Sequence, residues 1–276
     1  MNPHARAPVS IKSLASSLIT NGGLISQLVR REIVGRYKGS VMGLLWSFIN
    51  PIMLLALYTL VFSGVFKARW GSGGLESKSQ FALILFIGMI VHSLFSEVLI
   101  RAPNLIVSNV SYVKKIVFPL EILPVVALGA SVFHCMANVL VLVFALFLIN
   151  GSIPWTAIFL PLVLLPLLVL SLGIAWVFAS LGVYLRDISH PIGFGMTVLL
   201  FASPVFYPVS ALPQSVQPWL IINPLTFIIE QARAIMIFGQ LPNFNEWLIY
   251  SLISFVVAWG GYVWFQKTRK GFANVL

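Results

Sequence analysis

Residues 155–185 read WTAIFLPLVLLPLLVLSLGIAWVFASLGVYL, an apolar run without a charged side chain and long enough to cross a bilayer's hydrocarbon core as a helix. Gly43–Phe66, Phe81–Ile100, Glu121–Ile149, Pro191–Pro208 and Trp247–Gln266 are of the same kind, each long enough or nearly so. Only 7 of the 276 residues are acidic, 59% are hydrophobic and the mean hydropathy is +0.98. A chain so poor in charge has too little polar surface to remain in solution as a domain. The sequence therefore predicts an all-α polytopic membrane protein with six transmembrane helices. Its length fits one bundle, so its task is performed in or across a bilayer.

The net charge of +10 is concentrated between the apolar runs. That placement assigns it to topogenesis and anionic headgroups rather than to nucleic acid. With the N-terminus in the cytoplasm and six spans, thirteen of the 17 basic residues fall on the inner side and four outside, as the positive-inside rule requires. Residues 1–23 carry no apolar core followed by a small-residue cleavage site, so no cleavable signal peptide is expected. Leu220–Phe238 is also apolar, but it contains Pro224, Glu230 and Arg233. A charge at mid-bilayer costs about 2.5–3.5 kcal/mol on the lenient insertion scale. Spanning there would also degrade the charge asymmetry. The segment thus reads as a short re-entrant or interfacial helix on the outer side, with Glu230 and Arg233 close enough to neutralise each other. Together with the cluster Ser203–Pro208 it builds an outer mouth, because irregular backbone at that depth survives only inside protein or beside water.

On the inner side, Leu24–Tyr37 places Leu24, Ile25, Leu28, Val29 and Ile33 on one face and Arg30, Arg31 and Arg36 towards the other. This is the pattern of an amphipathic helix lying in the headgroup layer; a plain topogenic basic flank is the alternative. Glu32 stands four residues before Arg36 and Glu97 four before Arg101, spacings at which each pair meets on its own helix. Between Arg101 and Phe118 a short helix projecting into the cytoplasm would serve as a handle for another protein, a solvated loop being the alternative. Pro119 is expected to start the next helix, with Glu121 favouring the positive end of its dipole. The seam at Tyr184–Pro191 is short enough to make the spans on either side antiparallel neighbours. Cys135, the only cysteine, and His134 read as buried packing residues.

Catalytic machinery is missing. The sequence has no zinc-binding His-Glu-x-x-His, no paired aspartates, and no Gly-x-x-x-x-Gly-Lys-Ser/Thr loop to hold nucleotide phosphates. No cofactor is expected on this chain, and energy for uphill transport would enter through a partner.

Three stretches carry a family resemblance. The first is Arg31–Ser40 (REIVGRYKGS) with Met42–Trp46 and Asn50-Pro51. The second is Asn109–Pro124 (NVSYVKKIVFPLEILP). The third joins Val183–Asp187 to Ser203–Pro208 (SPVFYP) and Asn223–Leu225. In order and spacing the chain resembles the permease subunits of ABC-2-type exporters of surface polysaccharide, the group serving O-antigen, capsule and teichoic acid export. Leu120 departs from the pattern, standing where a basic residue is usual in the Phe-Pro-x-Glu motif. The resemblance implies residues 1–42 as a cytoplasmic N-terminus with an interfacial helix, 43–266 as a six-span domain, and 267–276 as a basic cytoplasmic tail. It further implies a homodimer in the bacterial inner membrane with both termini cytoplasmic. A separate ABC ATPase would bind the ATP and magnesium. The substrate would be a glycan on an undecaprenyl-diphosphate lipid.

By that resemblance Arg101, Asn104, Lys114 and Lys115 belong to the ATPase-coupling region. Pro204, Phe206, Tyr207, Pro208, Glu230 and Arg233 belong to the outer gate. From their chemistry, Arg30, Arg31, Arg36 and Lys38 suit a diphosphate headgroup, with anionic lipid the equal alternative. Tyr58 and Phe62, four apart, and Phe194 and Phe201, seven apart, form aromatic stripes able to line a sugar channel or simply to pack against neighbours and lipid. Two other functions stay open: a permease of this architecture for a small lipid or drug, and an integral membrane glycosyl- or acyltransferase. The second needs a catalytic carboxylate or histidine, and the inner-face acids Glu97, Glu121 and Asp187 show no suitable partner in the sequence.

Overall fold

The computed structural model describes residues 9–61, 78–114 and 118–276, and those residues are helical with connecting turns. Two helices, α1 (Ile11–Thr20) and α2 (Gly22–Arg36), precede α3 (Trp46–Tyr58). α4 (Lys78–Arg101) is followed by the short α5 (Asn104–Val107) and α6 (Val110–Lys114). Then come α7 (Ile122–Asn150), α8 (Leu160–Tyr184), α9 (Ser189–Ala202), α10 (Thr226–Met236), α11 (Phe244–Thr268) and α12 (Phe272–Val275). Among the described residues five helical segments are long and apolar enough to span: Gly43–Val61, Gln80–Arg101, Ile122–Asn150, Trp155–Tyr184 and Phe244–Val275.

The expected span over 191–208 takes another form. α9 has 14 residues and stops at Ala202. At 1.5 Å per residue that is about 21 Å, short of a hydrocarbon core of about 30 Å. Beyond it Pro204 and Pro208 withhold two backbone donors, and the chain continues irregularly.

α4 is the hub. Apolar on nearly all sides, it has no face to offer solvent and is surrounded by α3, α7, α8, α9 and α10. Of the most apolar part of each span, 78% is buried in α4 but only 11% in α3, which leans on α4 and α7 at the bundle's edge. A main hydrophobic cluster forms around α4 from residues such as Leu83, Phe86, Leu94, Leu142, Leu167, Ile228 and Ile235. A second cluster gathers α2, the 118–126 corner, α8, α11 and α12 around Leu28, Phe118, Leu123, Trp176, Tyr262, Phe265 and Phe272.

The short seam after α8 does not make α8 and α9 neighbours. A 3₁₀ turn at Arg186–Ile188 redirects the chain so that α9 packs on α4, while α8 pairs most extensively with α11. Glycine sets that pairing. A Cβ at Gly173 would fall 2.5 Å from the Ala258 Cα, and one at Gly261 would fall 2.1 Å from the Gly173 carbonyl oxygen. Backbones in such contact gain dispersion energy that bulkier residues would forfeit, the usual logic of small residues in membrane helix pairs. Gly261→Ala should therefore force α8 and α11 apart and destabilise the protein by about 1–3 kcal/mol. A thermal-unfolding midpoint in detergent equal to wild type would contradict this packing.

Candidate functional site

Two polar assemblies stand out, on opposite sides of α4. The first joins α2 to the end of α4. The apolar face expected for Leu24–Tyr37 exists: α2 lies along α7 with Leu28 buried and Leu24, Ile25, Val29 and Ile33 half-buried, leaving Arg30, Arg31 and Arg36 exposed. This seats Glu32 and Arg36 beside Glu97 and Arg101, and the charges pair across the helices. Arg36 Nη1 donates to Glu97 Oε1 at 2.5 Å, and Arg101 pairs with Glu32. The within-helix pair expected for Glu97 and Arg101 persists only as a looser 3.7 Å contact, and none links Glu32 to Arg36 in the described ion pairs. Crossing wins because each Arg then meets a carboxylate on a neighbouring helix as α2 docks.

His134 of α7 completes the cluster. Its Nδ1 lies 2.9 and 3.1 Å from the two Glu97 carboxylate oxygens and 3.0 Å from Arg36 Nη1, and Tyr37 meets its ring edge-on. Since a carboxylate only accepts, this geometry places the Nδ1 proton towards Glu97; the Nε2 atom is buried without a hydrogen-bond partner. The expectation that His134 merely packs is corrected: it is drawn into an ionic seam, while Cys135 beside it is buried and free. Two cavities flank the seam and share Glu32, Ile100 and Arg101. One of about 440 Å³ also reaches Arg31, Asn104 and Asn109. The other, about 650 Å³, reaches Arg36, Glu97 and His134.

The residues expected for headgroup access and for coupling thus meet. Arg31 Nη1 donates to the Tyr112 hydroxyl of α6 at 3.2 Å, and Arg36 and Arg101 share the carboxylates. Arg30, Lys38 and Asn104 are exposed nearby. Lys114 turns away to the main-chain oxygen of Leu276, and Lys115 lies outside the described residues. The region itself does not project as a free handle: α5 packs on α8, with Ile106 fully buried. Nor does Pro119 start the next helix. α7 begins at Ile122, and the Glu121 carboxylate caps nothing but binds Arg269 instead.

The second assembly lies where α9 breaks. Arg233 of α10 is 1% exposed, among the most deeply buried side chains of its size. Its Nη1 donates to Pro204 O at 2.6 Å, Nη2 to Val205 O at 2.8 Å, and Nε to Ile84 O of α4 at 3.1 Å. Glu230, half in the open, accepts a fourth bond at 3.0 Å, the pair expected from their spacing. One guanidinium fork therefore satisfies the carbonyls that the break frees and ties them to the hub helix. Gly88 makes the room, since a Cβ there would lie 3.0 Å from Arg233 Nη2 and 3.2 Å from Val205 Cα. Asn223 supports the same turn, donating to Ala202 O at 3.1 Å and Ser203 Oγ at 2.9 Å. The Tyr207 hydroxyl donates to Phe201 O at 3.0 Å. Phe206 stacks on Phe201.

The aromatic stripes are only partly united. Tyr58 is half-buried against the main cluster, whereas Phe194 and Phe201 are 72% and 63% exposed on α9. Phe62 lies outside the described residues. Glu32, Glu97, His134 and Tyr112 join the expected residues at the site; the repeated Glu-x-x-x-Arg at 32–36 and 97–101 is the sequence signal for the two glutamates, and no pattern marks His134 or Tyr112.

A bundle of apolar helices long enough to span, with an ionic seam where an amphipathic helix docks and a broken helix at the other side, defines a multi-pass membrane protein. The chain belongs to the ABC-2 type transporter family, whose model matches residues 23–237, from α2 through α10 and so across both assemblies. It is similar to the O-antigen export system permease protein RfbA of Myxococcus xanthus, 27% identical over 264 residues, covering 95% of this chain and 98% of that protein. A protein of the same name from Klebsiella pneumoniae is 23% identical, with 92% and 95% covered. The polysialic acid transport protein KpsM of Escherichia coli is 23% identical, with 84% and 90% covered.

Two outcomes test this geometry. In double-mutant cycles on unfolding, Arg36→Gln with Glu97→Gln should show a coupling of about 0.2–1 kcal/mol. Glu32→Gln with Arg36→Gln should show close to none; the reverse order would restore the within-helix pairs. Separately, Arg233→Met should cost at least about 3 kcal/mol, since bonds from a charged donor are worth about 1.5–3 kcal/mol each and three carbonyls lose one. Glu230→Gln, at an exposed carboxylate, should change the midpoint far less.

Proposed function

We propose that this chain is the channel-forming permease subunit of an ATP-driven exporter that moves undecaprenyl-diphosphate-linked polysaccharide, O-antigen above all, across the bacterial inner membrane. The near end-to-end likeness to permeases named for O-antigen export carries the reading. In this reading two copies assemble side by side, α9 continued through Ser203–Pro208 serves as the sixth span, and both termini are cytoplasmic. A separate ABC ATPase, holding ATP and magnesium, docks at α5 and α6.

The chain's own residues suit the steps. The diphosphate headgroup meets Arg30, Arg31, Arg36 and Lys38 along α2, and it competes with Glu97 and Glu32 for Arg36 and Arg101. Displacing the carboxylates loosens α2 from α4, so the lipid-linked substrate weakens the seam that bars its way. Beyond the seam, Tyr58, Phe62, Phe194 and Phe201 offer faces on which sugar rings slide without a fixed hydrogen-bond pattern. At the far end Pro204, Phe206, Tyr207 and Pro208, held by Arg233 and Glu230, form the outer gate. The likeness to KpsM favours a second polymer class, capsular polysialic acid, over a small lipid or drug.

A deletion strain tests the reading. Surface polysaccharide should disappear while lipid-linked polymer accumulates on the cytoplasmic side, and complementation with the wild-type gene should reverse both. Normal surface glycan with no retained polymer would overturn it.

A further inference from the structure

The last residues of the chain fold back onto the cytoplasmic corner that leads into α7. α11 runs to Thr268, whose carbonyl accepts from the Tyr184 hydroxyl of α8 at 2.8 Å. Arg269 then reaches across to the corner. Its Nη1 donates to Glu121 Oε2 at 2.7 Å and its Nη2 to Phe118 O at 2.9 Å. Glu121 is buried, its other oxygen accepts from Ser17 of α1 at 2.8 Å, and its main-chain carbonyl accepts from the Trp176 indole of α8 at 3.0 Å. After a 3₁₀ turn, Phe272 inserts with no exposed surface, edge-on to Phe265 and beside Tyr184. Lys114, at the end of α6, donates to the main-chain oxygen of Leu276.

One carboxylate and one guanidinium thus join α1, the 118–121 corner and α11, and the hook of α12 closes over them to hold α6. A buried carboxylate with a charged donor, a hydroxyl and a well-packed aromatic wall is a stiff joint, because losing the guanidinium leaves the Glu121 carboxylate desolvated without its charged partner. Without it, α5 and α6 would be held to the bundle chiefly by apolar contacts, which tolerate sliding.

We propose that Arg269, acting through Glu121, is a positioning residue that rigidly joins the α5–α6 connection to α8 and α11, so that work done on that connection moves the spans. This rests on the reading of α5 and α6 as the ATPase contact. The pair does not touch substrate; it determines how much of each ATPase stroke reaches the bundle.

The test uses the full complex of this chain with its ATPase, reconstituted with lipid-linked glycan, and reads polymer exported per ATP hydrolysed. Arg269→Gln should assemble with the ATPase and hydrolyse ATP, yet export per ATP should fall by roughly 5-fold or more, the lower range of inter-site coupling. Arg269→Lys keeps the charge but not the second bond to Phe118 O, and should fall between the two. An unchanged ratio in Arg269→Gln overturns the proposal. Should that variant fail to accumulate, Arg269→Lys decides, and a wild-type ratio there overturns it equally. A wild-type chain that binds no ATPase defeats the exporter reading itself, an outcome visible before any variant is compared, and the joint's role falls with it.

Discussion

Backbone groups buried away from water need partners within the protein, and the structure depends on how the break after α9 meets that constraint. α9 stops at Ala202, the prolines at 204 and 208 prevent the helix from resuming, and the freed carbonyls of Pro204 and Val205 point into the bundle. A single arginine answers them. Arg233 can do so because its fork has five donors in fixed geometry, and because α4 offers both a carbonyl at Ile84 and a gap at Gly88. The charge that would expel Arg233 from a lipid-facing helix is thereby what holds an irregular segment in place.

The seam between α2 and α4 uses the same kinds of group differently. Ion pairs open to solvent are worth little each. Crossing them between α2 and α4 converts two within-helix contacts into the attachment between two helices, at no cost in charge number. At the other pair only the carboxylate is buried: Glu121 lies among Trp176, Phe118 and Phe272, while Arg269 reaches it from a partly exposed position.

The class of fold was legible because membrane insertion is decided by local composition. Apolar runs, the placement of lysine and arginine, and the two-faced pattern of 24–37 can each be read without knowing any neighbour, and five spans and α2 appear where those patterns lie. The length of α9 was less legible, because apolar composition continues through 203–208 while proline removes the donors a helix needs. The Glu230–Arg233 pair could be anticipated from spacing, but not that three carbonyls from α4 and the broken segment converge on the same guanidinium.

The site divides in the same way. The sequence by itself determined a helical membrane bundle, the basic face of α2, and residues of the right chemistry at 101–114 and 203–233, since all of these follow from residue type and helical period. Only the tertiary structure decided which charges pair. Glu32 with Arg101, Arg36 with Glu97 and His134, and Glu121 with Arg269 are chosen by how α2, α4, α7 and α11 dock. Docking is governed by the shapes of apolar faces and the close approach of glycines, so contacts between residues far apart in the chain emerge only when the helices are in place.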